Sequence, residues 1–192
     1  MSLNTSAKTH TATSVTFEST PNPATMKFNL HRQVIKEGFE CPNAQEAERS
    51  PLASKIFGFP WTSAVYVGTD FITVTKQDWV DWEMLAQPLS NLIQDHLNRQ
   101  EPFEVELLET EDSSANDLPI VRDIKSVLNR EIRPMVALDG GDVTFAKYDN
   151  HVLYIRMKGA CSGCPSASIT LKQGIEARMK ELFADVHEVV AI

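Results

Sequence analysis

The sequence predicts two small mixed α/β (α+β) domains joined in one chain. Its length of 192 residues suits one ordinary domain or two small ones. β-rich runs bounded by turn residues alternate with helical periodicity in both halves. The charge is also divided. Through Asp117 the chain carries 8 Lys and Arg against 17 Asp and Glu, and beyond it 10 against 9, leaving −9 and +1 in the two halves. Between them, Glu109 to Asp117 is polar, acidic and without apolar periodicity, the composition of a solvated linker. The reading is a disordered tail over 1–14, a first domain over 15–108, a linker over 109–117 and a second domain over 118–192.

In the first domain, Val15 to Glu18 and Thr25 to Leu30 read as short strands around Thr20-Pro21-Asn22-Pro23, whose two prolines forbid a regular ladder. Ala64 to Val67 and Phe71 to Thr75 flank Gly68-Thr69-Asp70 and form a hairpin. A helix with Asp78 as N-cap runs through Trp82, Leu85, Leu89, Leu92, Ile93 and Leu97, with a kink or break expected at Pro88. One of Trp79 and Trp82 is expected to pack on the hairpin, and Phe103 to Leu108 reads as a closing strand.

The second domain reads α-β-β-α-β. Its first helix spans about Pro119 to Arg133, capped by Asp117 and stopped or bent by Pro134, with Val121, Ile124, Leu128 and Ile132 facing the core. Asp139-Gly140-Gly141-Asp142 makes a turn into strands from Val143 to Tyr148 and Val152 to Lys158. In the latter, Leu153, Ile155 and Met157 share one face. A helix with Leu171, Ile175, Met179 and Leu182 on one side follows, then a strand from Val186 to Ile192.

The chemistry sits between the second strand and the second helix, at Cys161-Ser162-Gly163-Cys164-Pro165. Pro165 suits the first helical position, which makes Cys164 the expected N-cap, its sulfur near free N–H groups at the positive helix end. Such a place favours a thiolate, both nucleophile and metal ligand, and the two-residue spacing turns both sulfurs toward one point. Gly159 and Gly163 leave room for a bulky group. Three readings follow: a thioredoxin-like dithiol oxidoreductase, a zinc-bridged structural or adaptor module, or half of an iron–sulfur site. The order of elements speaks against the first, which wants a βαβ context. No third or fourth donor lies near in sequence. His151 and His187 read as solvated, and Cys41 as a bystander thiol. The simplest completion is a second copy of the chain, giving four cysteines around one [4Fe–4S] cluster. Asp139 and Asp142 read as turn residues rather than a cation site.

Composition excludes other classes. A net charge of −8 disfavours non-specific nucleic-acid binding, and no apolar run reaches the length of a membrane span. Three cysteines without a tight framework argue against a disulfide-stapled secreted fold. The Ser- and Thr-rich start lacks both a hydrophobic signal and an Arg-rich leader, so a cytoplasmic location is expected.

The run Leu138-Asp139-Gly140-Gly141-Asp142-Val143, followed by Gly159-Ala160-Cys161-Ser162-Gly163-Cys164-Pro165, resembles the C-terminal domain of the NifU-like (Nfu) iron–sulfur proteins. The first half resembles their N-terminal domain at Thr20-Pro21-Asn22-Pro23, Met26-Lys27-Phe28, Ser50-Pro51-Leu52-Ala53 and Asp70 to Lys76. Phe59-Pro60-Trp61-Thr62-Ser63 is bulkier than the family's usual glycine-containing stretch. The resemblance implies a non-enzymatic carrier with Cys161 and Cys164 as the cluster and metal ligands. It would hold one [4Fe–4S] cluster per homodimer, receive it from an upstream scaffold and pass it to apo iron–sulfur proteins.

Overall fold

The computed structural model describes residues 14–104, 117–162 and 165–192. The expected tail lies outside these residues but for Ser14, and the expected linker but for Asp117.

Both domains are α+β, as expected. In the first, β1 (Thr16–Ser19), β2 (Thr25–Asn29), β3 (Phe39–Cys41), β4 (Thr62–Val67) and β5 (Phe71–Lys76) form one antiparallel sheet in the order β1-β2-β5-β4-β3. α1 (Pro51–Phe57) and α2 (Trp82–Asn98) complete it. The period of two along each strand puts Phe28, Phe39, Cys41, Val65, Val67, Ile72 and Val74 into a core shared with Leu52, Ile56, Leu89 and Ile93.

Three elements of this domain escaped the sequence reading: β3, a 3-10 turn at Glu46–Arg49, and α1. The signal for α1 is present: Ser50 is its N-cap, the hydroxyl accepting from the Ala53 N–H at 3.2 Å, and Pro51 opens the first turn. α2 begins later than expected, with Asp81 at the N-cap rather than Asp78. It runs unbroken through Pro88, because residue 88 and its would-be acceptor Met84 are both exposed and the missing bond falls outside the core. Trp82, half-buried, meets Phe28 edge-on and donates its indole N–H to the Pro23 carbonyl at 3.2 Å, while Trp79 is exposed. Phe103 and Glu104 form a bend instead of a strand, and 105–108 lie outside the described residues.

In the second domain, α3 (Pro119–Val127) passes through a π turn (Leu128–Ile132) into α4 (Arg133–Leu138). Of the stop or bend expected at Pro134, the stop does not occur, and the helix continues through the π turn. Pro134 has no N–H for the Arg130 carbonyl and its ring crowds it; the wider π turn takes up the misfit. Leu128, Ile132 and Val136 keep one buried face through it. Asp117 is not the cap. Leu118 holds that position, and Asp117 pairs with Lys125 at 2.6 Å.

β6 (Gly141–Asp149) and β7 (Val152–Gly159) form an antiparallel hairpin, and β8 (Glu188–Ala191) joins β7 in parallel after α5 (Pro165–Leu182). Leu153, Ile155, Ile175, Met179 and Val189 are buried together, whereas Leu182, expected in the core, is 40% exposed.

Candidate metal-binding loop and the domain that covers it

The end of β7 and the start of β6 lie side by side, because Gly141 pairs with Gly159. The Gly140 carbonyl accepts from Ala160 N–H at 3.1 Å, and Gly159 O accepts from Ser162 N–H at 3.0 Å. Gly140 and Gly159 adopt φ of +79° and +64°, where a side chain is strained. The Asp139–Asp142 stretch is thus the turn the sequence predicts. Asp142 is 4% exposed, and its carboxylate accepts from Arg133 Nε and Nη2 at 2.7 and 2.9 Å and from Tyr66 Oη at 2.9 Å.

Cys161 lies 7% exposed at the edge of the second core. Its sulfur occupies the space a side chain at residue 141 would take: a Cβ built on Gly141 would stand 2.2 Å from Sγ. Burial, aided by the Asp139 and Asp142 charges, pushes the thiol up to about 12. The sequence reading expected a thiolate-favouring helix end at Cys164, which lies outside the described residues, as does Gly163. Pro165 opens α5 as expected. A cleft of about 500 Å³ adjoins Cys161, lined by Pro21, Met135, Asp139, Ala160, Thr170 and Leu171 among others.

The other candidate donors are elsewhere. Cys41 is fully buried in the first domain's core, where burial pushes its thiol up to about 11. His151, in the β6–β7 turn, stacks on His187 with ring centroids 4.6 Å apart. Among the described residues no three His, Cys, Asp or Glu side chains gather into a metal site. A thiol is the donor type that a soft metal or cluster takes.

The sequence reading missed that the first domain covers this loop. Strand register places Glu18, Lys27, Thr73, Tyr66 and Glu40 in one lateral row across β1, β2, β5, β4 and β3, on the face away from the helices. Lys27 Nζ donates to the Leu138 carbonyl at 3.0 Å. Thr73 stands against Gly140 and Gly159, its buried Oγ1 without a hydrogen-bond partner among the described residues. Glu40 Oε1 accepts from the Gly159 N–H at 3.1 Å and lies 2.9 Å from Ser162 Oγ. Asn22 Nδ2 reaches the Ser162 carbonyl at 3.4 Å. The signal lay in single polar residues inside apolar strands, as in Phe39-Glu40-Cys41, Val65-Tyr66-Val67 and Ile72-Thr73-Val74.

Comparison with known proteins gives two family matches. Residues 15–100 match the family described as scaffold protein Nfu/NifU N terminal, and residues 124–190 match the NifU-like domain. "NifU-like protein 5, mitochondrial" of Arabidopsis thaliana is 37% identical over 179 residues, which are 88% of this chain and 64% of that protein. "NFU1 iron-sulfur cluster scaffold homolog, mitochondrial" of Drosophila sechellia is 34% identical over 182 residues, 90% of this chain and 62% of that protein. The chain thus spans under two thirds of these relatives' length. The solution structure of a NifU-like protein from Saccharomyces cerevisiae aligns with a TM-score of 0.46 at 20% identity, covering 56% of this chain and 97% of that one.

The relatives correct one expectation. They are named mitochondrial, against the cytoplasmic location read from composition. An odd, sparse set of cysteines argues against an oxidising compartment, but it does not single out the cytoplasm among the others.

Proposed function

Since the chain belongs to the NifU-like (Nfu) family and carries both its N-terminal and its NifU-like domain, we propose that it is a scaffold and carrier for iron–sulfur clusters. Cys161 and Cys164 of two copies hold one [4Fe–4S] cluster as cargo between them and release it to apo iron–sulfur proteins. The observation that carries this reading is the Cys-x-x-Cys loop itself, inside the segment that matches the NifU-like domain. Two thiols per chain leave a four-thiolate site half complete, and a two-fold axis completes it.

Transfer then needs no substrate turnover. Each iron–cysteine bond given up by the carrier is replaced by one to an acceptor thiolate, with no net change in oxidation state. Only two residues per chain must let go, so the exchange proceeds in steps. The role is that of a carrier rather than an enzyme.

Anaerobic reconstitution with iron and sulfide, followed by metal and sulfide counting alongside molecular mass, tests this reading. About four irons per dimer are expected, lost in Cys161→Ala and in Cys164→Ala. A monomer holding a complete cluster, or a dimer that takes up zinc and never iron–sulfur, would sink it.

A further inference from the structure

Ser162, the residue after Cys161, is tied down from both domains. Its backbone N–H donates to Gly159 O at 3.0 Å, and its carbonyl accepts from Asn22 Nδ2 at 3.4 Å. Its hydroxyl lies 2.8 Å from Gly159 O and 2.9 Å from Glu40 Oε1, sharing one proton between two acceptors. The same Glu40 oxygen accepts from the Gly159 N–H at 3.1 Å. One carboxylate thus spans both ends of the turn that carries Cys161, and hydrogen bonds to a charged acceptor are the stronger kind.

The turn held in this way keeps the Cys161 sulfur inward, against Gly141 and 7% exposed. A ligand to a group shared between two chains must face outward. Turning the sulfur outward would take a second conformation of the turn, and the contacts from the first domain belong to the inward one. The rest of the row closes over the same place. Lys27 holds the Leu138 carbonyl, Tyr66 holds Asp142, and Thr73 lies against the two positive-φ glycines.

We propose that Glu40 is a positioning residue for the cluster loop, supplied by the other domain. With Asn22 and Tyr66 it latches the loop with Cys161 turned inward, so that taking up or releasing a cluster requires the first domain to lift from the loop. The coupling to clusters rests on the carrier reading above; the latch itself does not.

The test is the rate at which iodoacetamide alkylates each cysteine in the full chain, reduced and treated with a chelator, with each site read by peptide mass. In the unaltered protein Cys161 reacts slowly. Glu40→Ala raises its rate about tenfold or more, as expected when hydrogen bonds to a charged acceptor are lost. Glu40→Gln, which keeps an acceptor oxygen, restores part of the protection, and Ser162→Ala loosens the turn with every first-domain residue unchanged. Cys41, buried in the first domain's core, stays unreacted throughout and shows that this domain remains folded.

Cys161 rates within twofold among the unaltered, Glu40→Ala and Ser162→Ala proteins would overturn the latch. If Glu40→Ala also exposes Cys41, the Gln and Ser162 variants decide. Because no cluster is needed, failure of reconstitution counts against the carrier reading and leaves the latch to be judged on its own. In loaded protein, Glu40→Ala hands its cluster to an apo-ferredoxin faster than the unaltered chain does; an equal rate breaks the link between latch and transfer.

Discussion

Tyr66 and Asp142 lie 76 residues apart in sequence and are joined by a 2.9 Å hydrogen bond across the domain boundary. The phenol donates to a carboxylate that Arg133 already grips with two nitrogens. Burial, together with the Asp142 charge, raises the Tyr66 hydroxyl far above the ordinary phenol range, so it remains a donor at any working pH. The Asp142 hydrogen bonds likewise raise Arg133 above its ordinary value. The three form one polar centre beneath the loop turn.

That centre gives the first prediction. Tyr66→Phe removes one donor and should cost about 1–2 kcal/mol of the coupling between the domains. Asp142→Asn strips the charge from the pair and should cost about 3 kcal/mol, since it leaves a half-buried guanidinium without its anion. Urea unfolding followed by far-ultraviolet circular dichroism reads both. A Tyr66→Phe midpoint equal to that of the unaltered chain would show the bond to be worth nothing.

A methyl group at residue 141 competes with the Cys161 sulfur for the same space, at 2.2 Å. Gly141→Ala should therefore destabilise the second domain by about 1–3 kcal/mol and drive Cys161 outward. Faster alkylation of Cys161 alongside the lower melting temperature is the expected pair of results. A stable variant with unchanged thiol reactivity would contradict the observed packing.

Cys41 is a core residue of the first domain. Cys41→Ala should leave iron and sulfide content after reconstitution unchanged and lower stability by about 1–2 kcal/mol. Loss of bound iron in this variant would place Cys41 in the cluster site, against its burial in another core.

His96 supplies a pH dependence. Its side chain is shielded from solvent beside Phe103. Burial first, and the nearby Lys55 charge second, hold the imidazole below its ordinary 6.5, with Glu101 opposing them. The unfolded chain therefore takes up a proton below about pH 6.5 that the folded chain refuses. The His96 contribution is complete above that pH and shrinks as the pH falls, until the folded ring also protonates. All three tryptophans, Trp61, Trp79 and Trp82, lie in the first domain, so their emission reports its unfolding alone. The urea midpoint read this way should fall between pH 7 and 5.5, and His96→Gln should flatten the slope. An unaltered slope in the variant would assign the dependence elsewhere.

Most elements were legible where local pattern and tertiary packing agree. The Gly68-Thr69-Asp70 hairpin, the glycine turn at 140 and the core faces of Ile124, Leu128 and Ile132 follow from period and turn chemistry. The prolines end neither helix. Pro88 and Pro134 forbid particular hydrogen bonds, but solvent exposure absorbs one loss and a π turn the other. Neither outcome is written in local sequence. β3 is three residues long, too short for a periodic signal, and it carries Glu40. The loop cysteines were legible because their spacing is short and local. Their covering was not, because Glu40 and Ser162 meet only through the register of several strands, 122 residues apart.

The first domain's sheet has two unlike faces. Parting it from α2 would bare Phe28, Ile72 and Val74 to water, a loss that grows with apolar area. Parting it from the second domain bares the Lys27 ammonium, the Tyr66 hydroxyl and the Glu40 carboxylate, which exchange protein partners for water, and the Thr73 hydroxyl, which gains one. The molecule therefore has one seam of oil and one of polar groups, and the polar one is the cheaper of the two to part.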